Sequence, residues 1–311
     1  MKHIFIINPV AGDKKAEAQV LPVILRTAKN MGIDYEIHRT LYKGGGERYV
    51  KNRCMGKEGA ERIRFYAVGG DGTLNEVVNG AQGFANVEIT VIPAGTGNDF
   101  IRTFGNTEKF HDVVRQIEGH AMPVDLLKCG ERYGINMINI GLDCDIAVKA
   151  SVFKEKPFLK GSLAYVAGAM YMLRSNKGIK LSVAIGNEDC IQDDYTLIAI
   201  GNGRYCGGGF KGVPGAYIDD GLLDIMLIKK VSRKTLLAFL GRYRKGTHLD
   251  CPAIQNMIRY VQSDGLVIVP KDEMMGLCID GEFTLSGKVE ISVEKDAIMF
   301  STPRGVDIFS G

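Results

Sequence analysis

The sequence has no tryptophan, no Cys-x-x-Cys pair, no His-Glu-x-x-His motif and no GxxxxGK[ST] motif. Its seven cysteines are scattered and odd in number, so we expect neither a disulfide framework nor a thiolate zinc site. The five histidines are equally dispersed, which disfavours a metal centre held by imidazole groups. The missing phosphate-binding motif excludes a P-loop enzyme. Cysteine usage of this kind favours a reducing cytoplasm.

A long apolar run is also missing. The opening letters MKHIFIINPV contain a short apolar stretch that ends at Asn8 and Pro9, too early for a signal peptide. The longest membrane-like stretch, SLAYVAGAMYML at 162–173, has 12 residues and is shorter than the roughly 20 that span a bilayer. We therefore expect a buried helix there, with neither export nor a membrane span.

Strong net charge is absent, since the formal value is only +3, and this argues against a dedicated nucleic-acid binder. The charge is nevertheless uneven. Between Lys229 and Lys245 the chain has seven basic residues and no acid, on both sides of the apolar letters LLAFL. This pattern suits transient, peripheral contact with an anionic membrane surface, and it equally suits a solvated helix face beside an ordinary core.

The 311 residues favour two domains. In the first third, short apolar segments alternate with helical patterns, which predicts a parallel sheet between two helical layers. The predicted strands are 3–8, 34–40, 62–70 and 88–95, and the predicted helices are 14–31, 46–59 and 74–84.

After about residue 122 the pattern changes to many short segments with a period of two, which is typical of an antiparallel β-sandwich. Helical patterns near 143–151 and 158–176 interrupt it. We predict an α/β domain over 1–124, with the extreme C-terminus at about 303–311 as a candidate addition to it. The β-sandwich domain is predicted over 125–302.

The loop Gly69-Gly70-Asp71-Gly72-Thr73 combines two signals. Its glycines allow several N–H groups to point at an anion, and a helix that begins near Thr73 adds the positive end of its dipole. Thr73 and Glu76 also form a T-x-x-E capping box, which by itself predicts only a helix start. A cap and a phosphate cradle can coexist here. Asp71 fits neither, because it repels phosphate unless it binds magnesium or interacts with an acceptor group that carries a proton.

Other glycine-rich or polar loops follow the remaining strands of the predicted parallel sheet, where ligands of such sheets bind. They have the letters NPVAG, RTLYKGGG and PAGTGND. A further loop, GNGRYCGGGF at 201–210, either walls a substrate site or turns a corner between strands, and the sequence does not separate the two.

Two acidic clusters are candidates for chemistry. Asp280 and Glu282 are two apart in LCIDGEF, so on an extended strand both carboxylates face one side, although DG is also a hairpin turn signal. Asp219, Asp220 and Asp224 lie beside a glycine, and their oxygens suit magnesium or an ordinary Asx turn.

Five motifs together resemble the diacylglycerol kinase catalytic-domain family, most closely its soluble bacterial lipid kinases. In the family's order they are NPVAG at 8–12, GGDGTLNEVVNG at 69–80, PAGTGNDF at 93–100, DDGLLD at 219–224 and DGE at 280–282. They extend over nearly the whole chain, and five motifs in order are specific where one is weak.

The resemblance implies a nucleotide-binding α/β domain followed by a β-sandwich, with the active site in the cleft between them. It also implies an ATP site. The residues that match the family there are Asn8, Pro9, Gly12, Thr40, Gly69, Gly70, Asp71, Gly72, Thr73, Asn75 and Thr96.

By the same similarity, Asp280 or Glu282 is the general base that deprotonates the acceptor hydroxyl, and Asp280 is narrowly favoured. A structural Mg²⁺ is implied at Asp220 with the backbone carbonyls of Tyr217 and Leu222. Water would link this metal to Asp125 and onward to Asp71, which joins the catalytic set in this way.

The implied function is an ATP- and Mg²⁺-dependent lipid kinase, with diacylglycerol as the first candidate acceptor and phosphatidic acid as its product. One alternative is a kinase of a soluble substrate such as NAD, because NAD kinases and phosphofructokinases share the GGDGT loop. Another is a non-catalytic nucleotide- or lipid-binding regulator, against which the intact Asp71, Asp280 and Glu282 argue. The sequence leaves open whether the chain is a monomer or a homodimer.

Overall fold

The structure, a computed structural model, describes residues 1–14, 16–55, 61–95, 97–146, 178–252 and 254–307. The chain divides into two compact units. Unit 1 comprises Met1–Asp125 and Asp296–Gly311, and unit 2 comprises Leu126–Lys295. The predicted helix over 158–176 and Thr96 lie outside the described residues.

Unit 1 contains a parallel sheet. Its strands are β1 (Lys2–Ile7), β2 (Tyr35–Arg39), β3 (Ile63–Gly69) and β4 (Val87–Pro93), in the spatial order β2-β1-β3-β4. All seven residues of β3 and of β4 are buried. Burial on both faces explains why these strands read as continuous apolar runs rather than as alternating ones.

Helices connect these strands, as predicted, with shifted ends. They are α1 (Ala11–Lys14), α2 (Ala16–Met31), α3 (Gly45–Cys54), α4 (Asp71–Ala81) and α5 (Val113–Ile117). Phe5 and Ile7 of β1 share a core with Ile24 of α2, whereas Ile6 approaches Gly46 of α3. Alternate residues of β1 therefore face helices on opposite sides of the sheet.

The C-terminal part of the chain returns to unit 1 from Asp296, earlier than the 303 predicted as its candidate start. Met299 and Phe300 pair in parallel with Glu88 and Ile89 of β4, so the last strand, Val289–Thr302, adds an edge to this sheet. The ring of Phe300 packs against those of Phe100, Phe104 and Phe110. An alternating strand pattern gives no sign that its two halves belong to different units.

Unit 2 is the antiparallel β-sandwich that the period-two pattern predicts. Its complete strands are β6 (Arg132–Gly134), β7 (Met137–Gly141), β8 (Ile179–Ile185), β9 (Ile191–Gly201), β10 (Leu223–Lys229), β11 (Ile258–Ser263), β12 (Gly265–Pro270), β13 (Met275–Ile279) and β14 (Glu282–Ser286). Two further strands, β5 (His120–Cys129) and β15 (Val289–Thr302), cross the boundary between the units in sequence. The main path runs β14-β13-β7-β9-β8-β12-β15 through antiparallel pairs, while β10 pairs with β9 and β11 pairs with β10.

Two hydrophobic cores lie on the two faces of β9. Ile198 and Ile200 belong to one of them, and Leu197 and Ala199 belong to the other. Helix α6 (Arg233–Lys245) contributes Leu236, Phe239 and Tyr243 to the second core. No helix within the described ranges has both the length and the hydropathy that a membrane span requires.

Candidate active site

Three loops of unit 1 come together at the carboxyl ends of β1, β3 and β4. The side-chain amide of Asn8, after β1, donates to the hydroxyl of Thr73 at 3.3 Å. Gly12 lies so close to the carbonyl oxygen of Ala94 that a Cβ atom there would approach it to 2.2 Å, and its φ is +56°. The structure therefore brings NPVAG, GGDGT and the start of PAGTGND into one place.

Glycines line the contact between the loops after β3 and β4. A Cβ atom on Gly95 would lie 2.5 Å from the Cα of Gly70, and one on Gly69 would lie 2.2 Å from the Thr73 hydroxyl. The N–H groups of Ala94 and Gly95 both donate to the carbonyl of Gly69, at 2.8 and 3.0 Å. Backbone therefore lines this contact, where a side chain on Gly69 or Gly95 would clash. Such a surface suits the close approach of a phosphate group.

Helix α4 begins at Asp71 rather than near Thr73, and its N-cap residue is Gly70, which has no side-chain cap. The T-x-x-E capping box predicted at Thr73 and Glu76 is therefore wrong. Thr73 is the third helical residue, and its hydroxyl accepts the bond from Asn8. The N–H of Thr73 donates to the carbonyl of Gly70 at 3.0 Å. A helix start without a side-chain cap suits an anion, because its first N–H groups point out of the helix.

Glu76 caps a different helix, α3. Its carboxylate accepts hydrogen bonds from the N–H groups of Gly44 at 2.7 Å and Gly46 at 2.8 Å. Gly44 has a φ of +82°, and a Cβ atom on Gly46 would lie 2.7 Å from the Glu76 carboxylate. The glycines of RTLYKGGG thus allow α3 to pack against α4, which is a structural role that sequence reasoning missed.

Asp71 holds the loop after β4. One carboxylate oxygen accepts a hydrogen bond from the N–H of Asp99 at 2.8 Å, and a Cβ atom on Gly97 would lie 2.6 Å from the other. Asp99 in turn pairs with Arg102 at 3.2 Å. An acid in the first turn also interacts favourably with the helix dipole. These contacts give Asp71 a structural reason to be present beside the glycines.

The other residues predicted to bind the nucleotide differ in burial and in their hydrogen bonds. Thr40 is almost fully buried, and its N–H donates to the carbonyl of Ile7 at 2.9 Å. Pro9 is half-buried. Gly72 and Asn75 lie within α4, and Asn75 is buried, with its amide oxygen accepting a bond from Asn79 at 3.2 Å.

Asp280, in unit 2, is buried and bonded to three consecutive backbone N–H groups. One oxygen accepts from Ile135 at 2.8 Å, and the other accepts from Asn136 at 3.0 Å and from Met137 at 2.9 Å. Gly134 permits this approach, because a Cβ atom there would lie 3.3 Å from the carboxylate. The Asp280 carboxylate thus fastens its turn to the chain before β7.

Asp280 and Glu282 do not lie along one extended strand, so that part of the prediction is wrong. Asp280, with φ +48°, and Gly281, with φ +86°, form the two-residue turn between β13 and β14. Ile279 and Glu282 form the strand pair that closes this turn. Two positive φ angles are typical of the type I′ hairpin turn that DG favours. Glu282 is half-buried, in contrast to Asp280.

The loop 201–210 supports the same turn. The side chain of Asn202 donates to the carbonyl of Ile135 at 2.8 Å, and the N–H groups of Asn202 and Gly203 donate to the carbonyl of Asn136. Cys206 and Phe210 exchange two backbone bonds of 2.8 Å, which makes a tight turn. Sequence reasoning missed Asn136 and Asn202, and the letters GNG were a signal for Asn202 alone.

The predicted metal residues of unit 2 form an Asx turn. A carboxylate oxygen of the exposed Asp220 accepts a bond from the N–H of Leu222 at 3.0 Å, around Gly221 with φ +74°. Tyr217 is exposed, and the guanidinium of Arg204 lies 5.0 Å from its ring centroid. In the described part of the chain, no three His, Cys, Asp or Glu side chains cluster as a metal would need. The implied donors, one carboxylate and backbone carbonyls, are all oxygen, and such a set suits Mg²⁺.

The neighbouring acids have protein partners. Asp224 is buried and accepts a bond from the hydroxyl of Tyr260 at 2.7 Å, and burial raises its pKa. Asp125, in unit 1, is fully buried and accepts a bond from the N–H of Asp296 at 2.8 Å. Asp125 therefore holds the returning chain at the start of its unit 1 segment.

Comparison with known proteins matches both units to described families. The family model for the diacylglycerol kinase catalytic domain matches residues 2–129. The model described as the YegS C-terminal NAD kinase beta sandwich-like domain matches residues 136–300. The α/β and β-sandwich parts thus match two models that follow each other along the chain.

Similar proteins of known name cover almost the whole chain. A diacylglycerol kinase of Staphylococcus carnosus is 30% identical over 282 residues, which are 89% of this chain and 87% of that protein. A diacylglycerol kinase of Bacillus subtilis is 29% identical, over 91% of this chain and 90% of its own. A crystal structure of a diacylglycerol kinase from Bacillus anthracis, at 21% identity, aligns over 98% of both chains with a TM-score of 0.69 and supports the fold.

Proposed function

Because this chain belongs to the diacylglycerol kinase family of lipid kinases, we propose that it transfers the γ-phosphate of ATP to the hydroxyl of diacylglycerol. The product would be phosphatidic acid. The observation that carries the proposal is the glycine-lined edge of unit 1, where Gly70 and Gly95 are in backbone contact at the uncapped start of α4. The chain is an enzyme, a lipid kinase; the donor, the metal and the acceptor are the proposed parts.

ATP binds, in this proposal, with its phosphates against Gly69, Gly70 and Gly72. Phosphoryl transfer needs charge stabilisation and positioning more than covalent chemistry, and N–H groups at a helix start supply both. Asn8 supports the cradle through its bond to Thr73, and Asp71 supports it through its bond to Asp99. Thr40 lies at the end of β2 and is the candidate for contact with the nucleoside.

Mg²⁺ is the proposed metal. Its chemistry, when bound, is to offset the negative charge of carboxylates and phosphates. Asp220 would hold it together with the backbone carbonyls of Tyr217 and Leu222, and Asp125 and Asp71 are the acids proposed to communicate with it through water. Asp220 is suited to this because its carboxylate is exposed at a turn.

Glu282 is the proposed general base. It would take the proton of the lipid hydroxyl while that oxygen forms a bond to the γ-phosphorus and the bond from phosphorus to the β–γ bridging oxygen of ATP breaks, which releases ADP. Asp280 is the poorer candidate, because both of its oxygens accept backbone bonds and it is buried. We assign Asp280 the task of positioning the hairpin that carries Glu282.

A panel of acceptors tests the proposal. With labelled ATP and Mg²⁺, we expect label to enter diacylglycerol dispersed in mixed micelles, with less in sphingoid and polyprenol lipids. NAD must be in the same panel, because the sandwich model that matches residues 136–300 is described as NAD kinase-like. Transfer to NAD alone would refute a lipid acceptor, and transfer only to another lipid would refute diacylglycerol.

A further inference from the structure

The basic stretch from Lys229 to Lys245 divides into two groups in the structure. Lys229 pairs with Asp193 at 2.5 Å, and Lys230 pairs with Asp194 at 3.0 Å, both on β9. These two lysines are therefore neutralised within unit 2. The other five basic residues, which are all exposed, belong to α6 and are Arg233, Lys234, Arg242, Arg244 and Lys245.

The basic residues of α6 have no acidic partner in the described part of the chain. Arg244 lies 5.9 Å from the ring centroid of Phe210, and none of the five forms an ion pair with a residue in the described ranges. The helix also has no acid in its first turn. The exposed side of α6 thus has a concentrated positive charge although the whole chain has a net charge of only +3.

Helix stability accounts for only part of this charge. Arg242 and Lys245 lie in the last turn, where cations interact favourably with the helix dipole. Arg233 and Lys234 lie in the first turn, directly after the N-cap Ser232, where cations are unfavourable. Their presence at that end therefore requires a reason other than the stability of the helix.

An apolar residue lies among these cations. Leu236, Phe239 and Tyr243 anchor the inner side of α6 in the core, while Leu237 is 59% exposed. Ala238 and Gly241 beside it are also exposed and small. A helix with a core-facing side, exposed cations and an exposed leucine has the composition of a helix that lies on a lipid surface.

We propose that α6 is the surface by which the protein docks on an anionic phospholipid bilayer, with Leu237 entering the boundary between headgroups and acyl chains. The cations supply the attraction to anionic headgroups, and the leucine distinguishes a bilayer from a nucleic acid, whose phosphates need no apolar contact. This inference rests on the proposed lipid substrate, which the enzyme must reach at the bilayer, and no helix in the described ranges meets the length and hydropathy of a membrane span.

Matched charge variants test the electrostatic part. Lys234→Gln with Arg242→Gln removes two unpaired cations, and Lys229→Gln with Lys230→Gln removes two paired ones, so both change the net charge equally. In sedimentation with phosphatidylglycerol-containing vesicles, we expect roughly 25-fold weaker binding for the first variant, at about fivefold per cation near the surface. The second variant should bind nearly as the parent does. An equal loss in both would overturn the proposal.

The absence of tryptophan from the chain allows a direct test of insertion. Leu237→Trp introduces the sole tryptophan, and its fluorescence should shift to the blue on titration with the same vesicles. Val269→Trp, on β12 and 39% exposed, is the control and should not shift. No shift at position 237, or an equal shift with duplex DNA, would overturn docking on lipid.

Two activity readouts keep this inference separate from the proposed function. The Lys234→Gln, Arg242→Gln variant should phosphorylate micellar diacylglycerol like the parent and lose activity on diacylglycerol in anionic vesicles. If the parent phosphorylates no lipid, the proposed function fails, while the vesicle and fluorescence results still decide whether α6 binds a bilayer. Equal activity of both proteins on vesicles would count against α6.

Discussion

Asp280→Asn and Glu282→Gln distinguish a positioning residue from a base. Asparagine keeps one acceptor oxygen and puts an amide NH₂ group where the other oxygen accepts a bond from Ile135 at 2.8 Å. One charge-assisted bond is then lost and two donors face each other in a buried place. Asparagine also adopts left-handed φ angles readily, so the +48° of Asp280 adds little strain to the variant.

The magnitude follows from the number of bonds. A hydrogen bond to a charged group contributes about 1.5–3 kcal/mol, and the two remaining bonds weaken when the carboxylate charge is removed. We therefore expect Asp280→Asn to lower the free energy of unfolding by about 2–4 kcal/mol. Glu282→Gln changes a half-buried residue at a strand start, where substitutions usually cost within about 0.5 kcal/mol.

The loss of activity should rank the two variants in the opposite order to the loss of stability. Loss of a general base lowers kcat by roughly 10²–10⁴-fold, so Glu282→Gln should be stable and nearly inactive. Asp280→Asn should be destabilised and retain measurable phosphotransfer at low temperature. Urea denaturation and transfer of labelled phosphate to micellar diacylglycerol measure both quantities. A stable, inactive Asp280→Asn beside an active Glu282→Gln would refute our assignment and make Asp280 the base.

Three further predictions concern the cap of α3, the metal and His3, one of the buried histidines. Glu76→Ala should lower the free energy of unfolding by about 1–3 kcal/mol in urea denaturation. Gly46→Ala should stabilise the Glu76→Ala variant by about 1 kcal/mol. It should not stabilise the parent, because there the new Cβ meets the Glu76 carboxylate at 2.7 Å, so additive effects of the two substitutions would contradict the contact. Magnesium should raise the Tm of the parent and of Asp219→Ala but not of Asp220→Ala, and an equal rise in all three would reject the site at Asp220. Burial, aided by Arg64, lowers the pKa of His3 from 6.5 to about 4, so between these pH values the unfolded chain binds a proton that the folded chain does not. The free energy of unfolding should therefore fall as the pH falls through this window, by up to about 1.4 kcal/mol per pH unit from His3. His3→Gln should remove this part of the pH dependence of stability. An unchanged slope of stability against pH would contradict the burial effect.

Much of the fold follows from local pattern. The apolar runs of β1, β3 and β4 and the period-two alternation after residue 122 identify a parallel sheet and an antiparallel sandwich, because each pattern states which side chains face a core. The glycines at 69, 70 and 95 identify a place where backbone must approach backbone. Those signals are contained within short stretches, and they were sufficient to predict the fold class. The family was inferred from the resemblance of five motifs in order.

Hydrogen bonds between residues that are far apart in the chain could not be predicted from such local patterns. Glu76 has the spacing of a capping box for its own helix, yet its carboxylate binds Gly44 and Gly46, about 30 residues away. Asp280 has the spacing of a strand residue, yet it turns a hairpin and binds the backbone at 135–137, more than 140 residues away.

The basic stretch shows the same division. The sequence by itself determined that positive charge gathers between Lys229 and Lys245. Only the folded sandwich brings Asp193 and Asp194 to the first two lysines and leaves the cations of α6 without an acidic partner among the described residues. Spacing along the chain determines which face of a helix or strand a residue occupies. The partner on that face depends on which distant strand is its neighbour, and the tertiary structure decides this through the packing of the cores.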